Sequence, residues 1–253
     1  MTVAERAAAQ QELQAFAEAL QALQAPQIRA AFTIGSFPGG YFRPGQSDLD
    51  VVIILAGSPP QDAEARAEEE QLRKAVQAIA QAAKPFELEA MFVYGSQLMR
   101  DPHTGLLPAA DIASRLLVQS ARLCGEFDLQ QVEPPLPQDF LPNLADYWQD
   151  WQQKVGQGVE SAMPVPILVK HLFTLLRYFL IIRHQHVQYN KLQLLTDYQR
   201  LAIELPLPAA IQNVLEKTLQ GETIPLETEA AFRHELPAFE QALIRATLPA
   251  KPE

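Results

Sequence analysis

The stretch Ser47-Asp48-Leu49-Asp50-Val51-Val52-Ile53-Ile54 constrains the fold more than any other part of the chain. Its later residues form a compact β-branched run, and residues 49–55 read as a strand buried on at least one face. Alternation along a strand puts Asp48 and Asp50 on one side and turns Leu49 into the core. Two carboxylates about 6–7 Å apart at a strand start repel each other unless a cation lies between them. Upstream, Gly35-Ser36 is separated from Ser47 by ten residues. The segment 35–47 holds four glycines and two prolines, so the repeating pattern stops there.

The flanking segments set the context. Thr2 and Glu5 have capping-box spacing ahead of an Ala/Leu/Gln-rich helix over 3–24, closed by Pro26. Residues 27–34 read as a short strand. Ser58-Pro59-Pro60 is expected to start a helix that ends at Lys84, and 86–94 is a third strand. The order α, β, β, α, β indicates an α/β layer. Further on, 111–124 reads as helix, with Cys124 packed at its apolar end, and 133–142 as a proline-rich connection. Helices follow over about 143–157, 166–186, 190–204, 207–219 and 227–246. The expected class is α+β: an α/β domain with a small mixed sheet over 1–135, followed by an all-α helical bundle over 136–253.

Composition narrows the partners. Thirty Asp and Glu against 20 Lys and Arg give a net charge of −10. That disfavours nucleic acid as the main partner, because phosphate-backbone binding is dominated by Lys and Arg. A cationic partner, or a metal held by carboxylates, suits the balance better. The single cysteine, Cys124, excludes an intramolecular disulfide framework. The start of the chain lacks the pattern of a signal peptide. Lys170, His171 and Arg177 interrupt the most apolar stretch, so no membrane partner is expected and the cytoplasm is the default location.

The carboxylates carry the chemistry. Phe86-Glu87-Leu88-Glu89-Ala90-Met91 places Glu87 and Glu89 on one face of the third strand. Four acids on two short apolar strands are costly unless they are used. Two Mg²⁺ ions answer that cost, since magnesium prefers a few carboxylates together with substrate phosphates. Gly35 permits close backbone approach, and Ser36 with nearby N–H groups suits a triphosphate. In the helical part, Lys170, Arg177 and His184 recur every seven residues and share one helix face. That face reads equally well as a solvated stripe or as a cationic wall. Trp148 and Trp151, beside Asp146 and Asp150, read as core packing ahead of an acceptor pocket. His103, His171, His186 and His234 lack zinc spacing and read as surface or partly buried residues.

Gly35-Ser36 followed by Ser47-Asp48-Leu49-Asp50-Val51-Val52 resembles the signature of the DNA polymerase beta-like nucleotidyltransferase superfamily. Within it, Gly39-Gly40-Tyr41-Phe42-Arg43-Pro44 is similar to the loop of aminoglycoside adenylyltransferases of the streptomycin and spectinomycin type. The resemblance covers residues 30–94 specifically and the rest loosely. It implies that Asp48 and Asp50 hold Mg²⁺, while Glu89, which fits the family's register better than Glu87, binds metal or acts as general base. It implies that Gly35, Ser36 and Ser47 bind ATP, and that the helical domain completes the nucleotide and acceptor cleft. Arg177-Tyr178-Phe179 and Tyr189-Asn190-Lys191 resemble the helix-turn-helix that presents an arginine and a lysine to ATP. The implied reaction moves AMP from ATP to a hydroxyl of a small acceptor, which the charge balance allows to be cationic, and releases pyrophosphate. Where that family places Trp and Asp around the drug, Ser161-Ala162-Met163-Pro164-Val165-Pro166 carries none, Glu160 being the nearest acid, so the chemistry is better supported than an aminoglycoside acceptor. Alternatives are a protein- or tRNA-modifying transferase of toxin–antitoxin type and a non-catalytic nucleotide-binding module.

Overall fold

The computed structural model describes residues 2–45, 47–156 and 163–248. The chain divides into two compact units, Met1–Pro135 and Leu136–Glu253.

The first unit begins with α1 (Val3–Ala22). The Thr2 hydroxyl accepts from the Glu5 N–H at 3.2 Å, and the Glu5 carboxylate accepts from the Thr2 N–H at 2.7 Å. Two of the otherwise orphaned donors are satisfied reciprocally, as the spacing predicts. Strands β1 (Ile28–Ile34) and β2 (Leu49–Leu55) follow, then α2 (Ala63–Ala82) and β3 (Leu88–Tyr94). Helix α2 does not start at Ser58. Its cap is Asp62, whose carboxylate accepts from the Ala65 N–H at 2.8 Å. A residue preceding proline is pushed to extended conformations, so Ser58 before Pro59 and Pro59 before Pro60 delay the helix. Lys84 before Pro85 ends it early in the same way, at Ala82. Strand β3 starts two residues later than its apolar pattern, because the Phe86 N–H donates to the Glu12 carboxylate of α1 at 3.1 Å instead of to a ladder.

A second departure follows. The expected helix over 111–124 is split into α3 (Ala110–Val118) and an edge strand, β4 (Ser120–Gly125). The Ser120 hydroxyl donates to the Leu116 carbonyl at 2.6 Å and closes the helix. The chain then pairs with the open edge of β1, whose backbone groups need partners. Cys124 therefore lies half-buried on a strand.

The sheet is mixed, in the order β3-β2-β1-β4, with β2 and β3 parallel and the other pairs antiparallel. One face, with Ala31, Leu49, Val51, Ile53 and Leu55, packs against Leu13, Phe16 and Leu20 of α1 and Val76 and Ala80 of α2. Phe32, Ile34, Val52 and Ile54 are buried on the other face. Burial on both sides explains the unbroken apolar run of β2.

The second unit is a bundle of α4 (Phe140–Gly156), α5 (Val165–His184), α6 (Lys191–Leu201), α7 (Ala209–Gln220) and α8 (Leu226–Thr247). Helix α5 is central and packs against each of the other four. It is long and apolar enough to cross a membrane, yet 56% of its most apolar window is buried inside the unit.

Gly125 ends β4 at φ +71°, and a Cβ there would run into the carbonyl and Cα of neighbouring β1 residues Arg29 and Ala30. Gly125→Ala is expected to cost about 2 kcal/mol, combining left-handed strain with a backbone clash. Chemical denaturation of both proteins measures it.

Candidate functional site

Cross-strand register places one residue from each strand in a single row on the face opposite α1 and α2. Ser120 of β4 pairs with Ile34, Ile34 with Asp50, and Asp50 with Glu89 of β3. Neighbouring strands lie about 4.8 Å apart, so Asp50 and Glu89 are adjacent carboxylates on one surface. Leu49, between Asp48 and Asp50, has 0% exposure and points into the core, as alternation requires. Asp48 precedes the first residue of β2 and is half-buried. Glu87 stands just before β3, exposed, and its carbonyl accepts from the Leu49 N–H at 2.8 Å. The Thr33 hydroxyl donates to the Asp50 carbonyl at 3.1 Å, fixing the main chain that carries the acid.

The turn after β1 closes over this row. Gly35 has φ +78°, and a Cβ added there would lie 2.5 Å from Asp50 Oδ2. Only glycine lets the backbone come so near the carboxylate. The Gly39 N–H donates to the Gly35 carbonyl at 3.1 Å and the Tyr41 N–H to the Ser36 carbonyl at 3.0 Å. Phe37 and Phe42 meet edge-to-face at 5.8 Å, and Phe42 meets Phe86 at 5.5 Å. These rings pin the loop to the core. Sequence reasoning missed a further brace, in which Gln119, at the end of α3, donates through Nε2 to the Tyr41 hydroxyl at 2.7 Å. No local pattern links positions so far apart in the chain.

The remaining loop residues divide. Ser47 accepts through Oγ from the Arg43 N–H at 3.1 Å and donates its own N–H to the Arg43 carbonyl at 2.8 Å, so it closes the loop. The buried Ser36 Oγ has no hydrogen-bond partner among the described residues. A buried hydroxyl without a partner is costly, and a phosphate oxygen is a partner of the right kind. Among the described residues no three His, Cys, Asp or Glu side chains converge closely enough to enclose a metal. Asp50 and Glu89, adjacent by register, are oxygen donors of the kind Mg²⁺ takes singly or in pairs together with phosphate oxygens.

In the second unit, Arg177 and Lys191 each lie over an aromatic ring. The Arg177 guanidinium lies 5.0 Å from the Tyr189 ring, and Lys191 Nζ lies 5.8 Å from the ring of Phe173, one turn before Arg177 on α5. Asn190 caps α6 by accepting from the Leu192 N–H at 3.0 Å, which makes Lys191 its first residue. Asp197 organises the connection between α5 and α6. Its carboxylate takes His186 Nε2 at 2.8 Å, Gln193 Nε2 at 3.1 Å and an Arg200 nitrogen at 3.0 Å. Burial would raise its pKa, but these hydrogen bonds outweigh burial and hold it below the usual carboxylate range.

Other candidates fall away from any site. Trp148 and Trp151 are only 9% and 6% exposed, and Trp151 stacks on the His171 ring at 3.6 Å. His171 is no surface residue: it is 2% exposed, bonded to the Tyr147 hydroxyl at 2.8 Å and 3.1 Å from Glu240 Oε1. Asp146 and Asp150 are exposed on α4. His184 lies 3.3 Å from Glu204, and Lys170 is exposed. Glu160, Ser161 and Ala162 lie outside the described residues.

A carboxyl held below its unfolded value, about 3.9, adds stability above that pH and loses it as pH falls through the folded value. Asp197→Asn is therefore expected to lower the melting temperature at neutral pH, with the gap to wild type narrowing below pH ~4. Thermal melts at stepped pH check this.

No family model matches the chain, and no curated protein matches it. Among solved structures, the spectinomycin adenyltransferase AAD(9) from Enterococcus faecialis, with ATP and spectinomycin, is 12% identical, with a TM-score of 0.63. The match covers 93% of this chain and 99% of that one. A toxin–antitoxin with AMP-PNP and the toxin–antitoxin MntA-HpeT are each 15% identical over 57% of this chain and 94% of theirs. Their TM-scores of 0.24 and 0.23 carry no structural weight. The likeness to the adenyltransferase shows the fold: an α+β nucleotidyltransferase fold, with a small mixed sheet followed by a helical bundle.

Proposed function

We propose that the chain is a nucleotidyltransferase that moves AMP from ATP to a hydroxyl of a small molecule and releases pyrophosphate. One observation carries this reading: Asp50 and Glu89 are register partners on parallel strands, with the Gly35-Ser36 turn packed onto the Asp50 carboxylate. A purely structural sheet gains nothing from two adjacent acids beside an orphaned hydroxyl. The fold shared with an adenyltransferase is consistent with it.

In this reading Asp48 and Asp50 hold Mg²⁺, and Glu89 either completes the ligand set or takes the proton of the acceptor hydroxyl. Bound magnesium would offset charge on the phosphates and on the leaving pyrophosphate. Gly35 and Ser36 receive the phosphate oxygens, with the Ser36 hydroxyl donating to one of them. Ser47 keeps the loop closed around that turn. Arg177 and Lys191 are assigned to the nucleotide by the resemblance, and cations there would stabilise charge developing on the phosphates.

Asp50→Asn is expected to reduce transfer of α-labelled phosphate from ATP by more than about a hundredfold. Its melting temperature should change little, because the amide keeps the shape of the carboxylate it replaces. Retained transfer in this variant ends the reading. Lys191→Ala is expected to weaken ATP binding about tenfold, the worth of one charge-assisted hydrogen bond. Calorimetric titration measures it, and an unchanged affinity removes Lys191 from the site.

A further inference from the structure

A groove of about 680 Å³ opens on the first unit, lined among others by Arg29, Phe32, Ser120, Arg122, Glu126 and Phe127. Its position follows from register. Ser120 pairs with Ile34 and Arg122 with Phe32, so both project from the sheet face that carries Asp50 and Glu89. Ser120 belongs to the same row as Asp50, two strands away, which puts the near end of the groove about 10 Å from that acid. At the far end Glu126 and Phe127 line it, following Gly125 in the chain. The positive φ of Gly125 turns the chain over the Arg29 carbonyl, which accepts from the Glu126 N–H at 2.9 Å, and the following residues rise beside the sheet. The Phe127 ring packs there with the Arg29 guanidinium 5.7 Å from its centre.

The charges of this groove depart from those of the whole chain. Among the described residues, neither Arg29 nor Arg122 has a carboxylate at ion-pair distance. Of the two acids that line it, Asp128 already accepts from the Gln130 N–H at 2.9 Å. Two guanidiniums without an ion pair thus share the groove with Glu126 and Asp128, which makes it formally neutral in a protein of net charge −10. Lone arginines on a surface are ordinary. Two of them lining one concavity, with a hydroxyl and an aromatic wall, supply the kind of donors that bind phosphate or carboxylate.

We infer that this groove binds the oxyanion group, phosphate or carboxylate, of the acceptor, whose reacting hydroxyl then reaches the row of Asp50 and Glu89. The inference rests on the transfer reading above and sharpens it: the acceptor is a small hydroxylated anion, not a cation. Arg122 and Arg29 grip the anionic end, Ser120 hydrogen-bonds beside them, and Phe127 covers the carbon skeleton.

The first test uses the full chain with inorganic phosphate as probe, without ATP or Mg²⁺. With isotope-labelled arginine, the side-chain N–H resonances of Arg29 and Arg122 are assigned from Arg29→Lys and Arg122→Lys. Both are expected to shift with saturation, and Arg122→Glu should weaken the apparent affinity by about tenfold or more. Shifts that grow linearly without saturation, or saturable shifts confined to Arg177, overturn the site. The second test follows label from α-labelled ATP onto glucose-6-phosphate, glucuronate, glucose and spectinomycin. The two anions should accept it, with KM raised in Arg122→Glu and kcat retained, and the first two arms separate phosphate from carboxylate. Label on glucose or spectinomycin as readily as on the anions overturns the inference. ATP affinity is measured separately. Its absence removes the transfer reading, while the phosphate titration still decides the groove. Melting curves confirm that each variant is folded, and Arg29→Glu repeats the test at a second position.

Discussion

The parallel pairing of β2 with β3 is the constraint on which the rest depends. Leu49 opposite Leu88 and Asp50 opposite Glu89 exist together in one register only. A slip of one residue would turn every side chain of β2 to the other face. Asp50 would then enter the core beneath α1 and α2, where an isolated carboxylate is prohibitively costly. The acids therefore do more than wait for a ligand. They make the wrong alignment of an otherwise featureless apolar strand expensive, so the residues that suit the chemistry also specify the sheet.

Both ends of that pair of strands are secured by side chains. At the acidic end, Phe37, Phe42 and Phe86 hold the glycine-containing turn down. At the other end, the Tyr94 hydroxyl donates to the Glu69 carboxylate of α2 at 2.5 Å, and Arg73 bonds to the same residue. Burial together with the Glu69 charge pushes the Tyr94 phenol up to about 12, so it stays a donor across the physiological range. Helix α2 is thereby tied to the strand that carries Glu89, and the rigidity of the acid pair is borrowed from contacts well away from it.

Much of this was legible in the sequence, and for physical reasons. The Asp48-Leu49-Asp50 alternation and the β-branched run after it are local signals, and β2 begins and ends where they say. The same holds for the capping box of Thr2 and Glu5. Signals that depend on distant partners were not legible. Ser120 to Cys124 has enough helix-compatible character to continue α3, and only the open edge of β1 makes it a strand. The Gln119 brace on Tyr41, the row that runs from Ser120 to Glu89 and the enclosure of His171 all come from contacts far apart in the chain. Arg29 and Arg122 carry no motif at all. Their meeting at one groove is a product of strand order, which periodicity does not encode.

The central place of α5 in its bundle has a consequence for how the protein is made. This helix cannot bury its apolar surface until the segments that cover it exist, and α8, one of its main partners, is the last helix of the unit. At about 5–20 residues per second on the ribosome, a segment apolar enough to be mistaken for a membrane span stays uncovered for several seconds. Lys170, Arg177 and Arg183 interrupt it throughout that interval. Their charges, spaced along the helix, raise the cost of moving it into a bilayer during that interval.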